Sequence, residues 1–114
     1  MIILLVALQI KHWLVDFVNQ SNEEVISKGH YGEFTGIMHS VKHGIGTGLI
    51  FLLVSPYIAL VIGFLDIILH YHIDWIKRNY GNQDIKDTRF WRDLGFVQMV
   101  HQLCYIGYVA MVVI

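Results

Sequence analysis

The stretch GIGTGLIFLLVSPYIALVIGFL, residues 44–65, decides the fold. It is the longest run in the chain without a formal charge, and Pro56 stands near its middle. A residue before proline is pushed out of the helical region, so Ser55-Pro56 predicts a break. Read as one kinked helix, the run is a single membrane span, and the rest of the chain is soluble or interfacial. Read as a hairpin, it holds the facing ends of two spans. A span needs about 20 mostly apolar residues at about 1.5 Å each. The hairpin is preferred because both halves then extend to that length and the polar residues fall into order.

Working outward, the hairpin helices cover residues 35–54 and 57–78. Two further segments near span length flank them, residues 1–20 and 90–114. The expected fold is all-α: one domain over residues 1–114, an integral membrane four-helix bundle. The loop at residues 21–34 has room for a short interfacial helix, and the loop at 79–89 has no apolar period. The apolar start lacks the charged region and small-residue cleavage site of a signal peptide, so it is read as the first helix.

Composition agrees. Of 114 residues, 55% are hydrophobic and 15% charged, against about 45–50% and about 25% in an average soluble domain. The mean hydropathy is +0.53. This excludes a disordered chain. One cysteine excludes an intramolecular disulfide and a CxxC zinc site. A net charge of −1 gives no footprint for nucleic acid. Membrane lipid is the expected partner, and a homo-oligomer is compatible with the sequence.

Orientation follows from Lys and Arg near short loops. Lys77, Arg78, Lys86, Arg89 and Arg92 surround the second loop, whereas the Pro56 turn and both termini have no such cluster. Four spans place both polar loops on one side. That side is expected to be cytoplasmic, with both termini outside, in a bacterial inner (plasma) membrane. Trp75 and Trp91 fall where interfacial aromatics belong.

The chain has seven histidines, and six fall within the spans. Ionisable groups there are costly and face the bundle interior. His12 and Asp16, His39 and His43, and His70 and Asp74 are each four residues apart, which puts each pair on one helix face. This is how a helix offers two ligands to one ion. Counted from the cytoplasmic helix ends, His12, His43 and His70 lie about 12 Å deep, and Asp16, His39 and Asp74 about 6 Å. His101, on the fourth helix, lies roughly 16 Å deep. The stripes through these pairs are Gln9, His12, Asp16 and Gln20; Gly36, His39, His43 and Gly46; and Asp66, His70, Asp74 and Lys77. His72 points away from its stripe and His30 is a solvated loop residue. Asp93 is read as interfacial and Cys104 as a packing residue.

Imidazole and carboxylate without thiolate suit zinc, iron or manganese. A divalent transition metal is expected, zinc first, held by His12, Asp16, His39, His43, His70, Asp74 and His101. That set exceeds one tetrahedral ion. It calls for two ions, or leaves some residues to orient ligands or act as bases. The bland alternative is a buried His–Asp hydrogen-bond network. Lys42 leans toward the cytoplasm and can snorkel. Lys11 leans the other way and needs a partner, for which Asp66 is the candidate.

The segments HWLVDFVNQ (12–20), HSVKHG (39–44), HYHIDWIK (70–77) and FVQMVH (96–101) resemble the domain of unknown function 3307 family, small multi-helix membrane proteins of bacteria and phages. The family's pattern is HxxxDFxxQ, HxxxHG, HxxxDxxK and DQxxH. The resemblance covers most of the chain and carries over His12, Asp16, Gln20, His39, His43, His70, Asp74, Lys77, Gln98 and His101. Val97 stands where the last motif has Asp, which leaves the fourth helix without a carboxylate ligand.

Three functions follow as expectations. The first is a metal-dependent hydrolase acting on a lipid or lipid-linked substrate at the cytoplasmic leaflet. Asp16 and Asp74 would be its catalytic bases, and Gln20, Lys77 and Gln98 would bind substrate. The second is a non-catalytic membrane protein, for phage–host or partner interaction, with a structural His/Asp network. The third is metal-ion or proton transport. A di-iron oxidase fits less well, since it needs more histidines.

Overall fold

The Ser55-Pro56 break turns the apolar run into a helical hairpin. The computed structural model describes all 114 residues, and no strand is present. The elements are α1 (Ile2–Trp13) continuing into a π-helical turn (Leu14–Val18), then α2 (Asn22–Ser27), α3 (Phe34–Phe51), α4 (Pro56–Tyr80) and α5 (Thr88–Val113). Residues 52–54 make the reversal. Ser55 is extended, its hydroxyl accepts from the Ile58 amide, and Pro56 opens α4 where its missing N–H is harmless. The helix expected over 35–54 therefore stops at Phe51, because those three residues are needed to turn the chain.

Glycine lets α3 and α4 approach closely. A Cβ on Gly44 would lie 2.1 Å from Ile67 Cγ1 and 2.7 Å from the Gly63 carbonyl oxygen. Backbone approach through small residues is how helices associate where solvent supplies no hydrophobic drive.

The first expected helix, 1–20, departs from α geometry after Trp13, where the Asn19 amide bonds to the Leu14 carbonyl at 2.8 Å. The short helix expected in the first loop is α2. A capping box starts it: the Glu24 amide bonds to Ser21 Oγ, and the Glu24 carboxylate accepts from the Ser21 amide. The Gly36 amide donates to Ser27 Oγ at 2.8 Å, which docks α2 on α3. Tyr31 and His72, and Asn79 and the Gly29 carbonyl, join the first loop to α4 at 3.0 and 3.1 Å. The second loop, expected over 79–89, spans only 81–87. Asp87 accepts from the Arg89 amide and so opens α5 two residues early.

The interior is polar and the exterior apolar. Thirteen buried residues are polar or charged and nine are hydrophobic. Ile3, Val6, Leu49, Leu53, Leu60, Phe64, Phe96 and Leu103 all face outward. A protein folded in water buries its large aliphatic side chains and exposes its charges. The apolar core is confined to the Pro56 end, where Leu4, Leu8, Phe51, Ala59, Ile62, Tyr105, Tyr108 and Val109 meet. By length and composition, α4 and α5 are able to cross a membrane. α1 has 12 residues, and α3 has 18.

Candidate metal centre

Six of the seven expected ligands fall into two groups that share His70. Asp16, His39, His43 and His70 form one, and His70, Asp74 and His101 the other; within each, the ligand atoms lie within 4.8 Å of one another. All six residues are buried. They come from the π turn, α3, α4 and α5, so the centre assembles only when the bundle closes.

Asp16 is the hub of the first group. Its Oδ1 lies 2.9 Å from His39 Nε2, 2.8 Å from His43 Nε2 and 3.6 Å from His70 Nε2. In the second group Asp74 Oδ2 lies 3.2 Å from His70 Nε2, and Asp74 Oδ1 lies 3.2 Å from His101 Nε2. The rings of His43, His70 and His101 stack, with centroids 3.5 and 4.1 Å apart. His70 is 1% exposed, yet its Nδ1 has no partner, and its Nε2 lies near the Asp74 and Asp16 carboxylates without a well-aligned hydrogen bond. Buried polar groups are nearly always paired, so this ring requires an explanation, and a metal ion supplies one.

The surroundings also suit ligation. His39 points Nε2 into the first group and Nδ1 at Glu24 Oε1, 3.3 Å away. A metal-binding histidine usually donates its other N–H to a carboxylate in this way, which fixes tautomer and ring orientation. Burial works to raise the Glu24 carboxyl, but Lys42, the Ser21 amide and His39 outweigh it and hold it down at about 2. Glu24 is therefore an anion available to orient His39.

His12, the seventh expected ligand, sits beside the two groups. Its Nδ1 pairs with the Tyr105 hydroxyl at 3.0 Å and its Nε2 with Gln98 Oε1. Gln20 donates to the Asp16 carbonyl at 2.5 Å, holding the π turn, while its buried Oε1 has no partner. Gln20, Lys77 and Gln98 all line a cleft of about 90 Å3 that includes Asp16 and Asp74. His30 is exposed, as expected, and His72, off the site as expected, is exposed and paired with Tyr31. Gln9 is exposed too and leaves the stripe assigned to it.

Lys11 occupies the interior instead. The expected Lys11–Asp66 pair forms at 3.4 Å. Lys11 Nζ also donates to Tyr105 Oη at 3.0 Å and lies 3.0 Å from His43 Nδ1. Asp66 accepts further from Thr47 at 2.6 Å and Tyr108 at 2.9 Å.

Sequence reasoning missed two residues. Glu24 was one of three loop glutamates, and only its capping-box position set it apart. Lys28 stands in the first loop, yet its Nζ lies 3.2 Å from Asp74 Oδ2 and 3.9 Å from Asp16 Oδ1. No sequence spacing signalled it, because the first loop folds back over α4.

With this geometry in view, a model for a protein family of unknown function, DUF3307, matches residues 4–114. The chain belongs to the DUF3307 family. No curated protein and no solved structure matches the chain. The DUF3307 residues quoted from the sequence converge here: the first three motifs supply His12, Asp16, His39, His43, His70 and Asp74, and the last supplies Gln98 and His101. Val97 is buried and lines the cleft.

Proposed function

We propose that this DUF3307 chain is an integral membrane protein of four spans in an inner (plasma) membrane, carrying a divalent-metal centre that hydrolyses a lipid or lipid-linked substrate. The observation that carries the reading is His70. It is shared by two buried ligand groups, has a buried Nδ1 without a partner and an Nε2 that faces two carboxylates without a well-aligned hydrogen bond, and sits beside a cleft lined by polar side chains. Zinc is the first candidate, since imidazole and carboxylate at a confined site suit it. When bound, the metal would lower the pKa of a water and polarise the scissile bond. Asp16 and Asp74 reach both the ligand groups and the cleft. One carboxylate accepts the proton of the attacking water, while the other holds its histidine partners in place. Lys28 and Lys77 present positive charge to an anionic substrate.

The outward-facing aliphatic side chains support four spans, because α1 and α3 also have lipid-compatible outer faces. Basic residues around the second loop orient it to the cytoplasm. Reporter fusions after Ile114 and within residues 81–87 are expected on opposite membrane sides, the loop inside. Both on the same side would remove the four-span arrangement.

A structural network is the second reading. His39 and His43 already bond to Asp16 at 2.9 and 2.8 Å, so part of the cluster is satisfied without an ion. Transport is less well supported, because the core of Leu4, Leu8, Phe51 and Ile62 closes the interior beyond Asp66. Elemental analysis of detergent-purified protein separates the first two readings. Wild type is expected to carry one or two equivalents of transition metal, and an Asp16→Asn/Asp74→Asn double variant almost none. Wild type without metal would leave the network reading and reject the hydrolase.

A further inference from the structure

The cleft beside the metal centre does not stand alone. Lys77 and Val97 line it, and the same two residues line a second, larger groove between α4 and α5. The first space is cationic. Lys28, Lys77 and Arg78 line it against the carboxylates of Asp16 and Asp74, leaving one net positive charge before any metal is added. The second is mainly apolar, about 330 Å3, and includes Ile73, Ile76, Phe96 and Val100. That is within the range of ligand pockets, roughly 300–1,000 Å3.

The local fold explains why the cations gather. Gly29 lets the first loop lie on α4, since a Cβ there would sit 2.7 Å from Arg78 Cγ. This brings Lys28 next to Arg78 and over Asp74. Lys77 Nζ lies 5.2 Å from the centre of the Phe90 ring, and the Arg78 guanidinium donates to Gln83 at 2.7 Å. Neither side chain is committed to a carboxylate. Val97 matters because it stands where the two spaces join. The junction is therefore apolar and adds no negative charge.

From this we infer that the chain binds a lipid phosphate, with the phosphate in the Lys28–Lys77–Arg78 cleft and its hydrocarbon chain in the α4–α5 groove. The inference rests on the proposed hydrolase and names its substrate class. A phosphate needs several cationic donors, and an alkyl chain needs a contiguous apolar wall open to lipid. Lys77 and Val97 supply the junction between phosphate and chain.

The test is a thermal-shift titration of purified protein in a neutral maltoside detergent, with a chelator present throughout. The probes are dodecyl phosphate and inorganic phosphate. Dodecyl phosphate is expected to bind at least tenfold tighter. Lys28→Gln/Arg78→Gln should weaken both probes. Val100→Trp, which fills the groove, should weaken dodecyl phosphate about tenfold and leave inorganic phosphate unchanged; Ile73→Trp is the second filler, should the first fail to fold. Equal affinity for the two probes, or fillers that leave dodecyl phosphate binding intact, would overturn the inference. Because metal is chelated, this result is independent of the metal reading. Dodecyl phosphate binding in a protein that purifies without metal would retain the lipid site and dismiss the hydrolase.

Discussion

Replacing His70 by Ala is expected to empty both ligand groups at once. His70 is the one residue common to them. Metal content should fall from its wild-type value to near zero. His101→Ala, which touches only the second group, should remove at most one equivalent. Stability should follow the metal. An ion that binds only the folded protein stabilises it by about 2.7 kcal/mol at a free concentration a hundredfold above Kd. Wild type should therefore lose that increment on chelation, and His70→Ala should have none to lose. In chelator the variant should differ from wild type only through lost ring stacking and the Nε2 contacts to Asp74 and Asp16, a gap that does not depend on metal. An equal stability gap with and without chelator would show that His70 is a packing residue.

The second large effect lies deeper, at Lys11 and Asp66. Asp66→Leu should destabilise the protein by about 3–5 kcal/mol, the usual result of removing one partner from a buried ion pair. Lys11 would keep its contacts to Tyr105 and His43 but lose its counter-charge, and the Thr47 and Tyr108 hydroxyls would lose their acceptor. Adding Lys11→Met should recover much of the loss, since replacing both charges with apolar groups of similar size is often neutral or better. Unfolding in a mixed-detergent series would measure this. A double variant no more stable than Asp66→Leu alone would mean that the hydroxyls, not the pair, account for the effect.

Most of the candidate site was legible because helices convert spacing into direction. Three i,i+4 pairs at two matched depths identify facing residues without any knowledge of the bundle, and five of those six residues enter the two ligand groups. His12 was the exception. Its Nδ1 still lies 3.5 Å from Asp16 Oδ2, as the spacing predicts, but Tyr105 and Gln98 take up the two ring nitrogens and hold the imidazole outside the ligand groups. Gln9 failed for a related reason. A stripe drawn at helical period gives a face, but the bundle interior extends to whichever side chain can be paired there, and Lys11 reaches Asp66. Lys28 and Glu24 were beyond reach. Both sit in a connecting segment whose path is set by contacts such as Tyr31–His72 and Ser27–Gly36, and no local periodicity encodes those.

The π turn at Leu14–Val18 places regularity and use in opposition. An α-helix closes each bond over four residues, and this turn closes over five, as the Leu14–Asn19 bond shows. Such turns recur at functional sites. The chain therefore holds one residue more here than a regular helix requires. Deleting Val15 would allow ordinary α geometry to run through, and the backbone would gain uniformity. Asn19 would then follow Leu14 by four residues and keep its bond, so the residues beyond would hold their faces, but Asp16, inside the turn, would stand one residue closer to Leu14 and rotate on the helix. Asp16 would then swing away from the histidines on α3 and α4. In length variants of this segment, the better helix should be the poorer protein, and selection for stability alone would erode the carboxylate on which the centre is built.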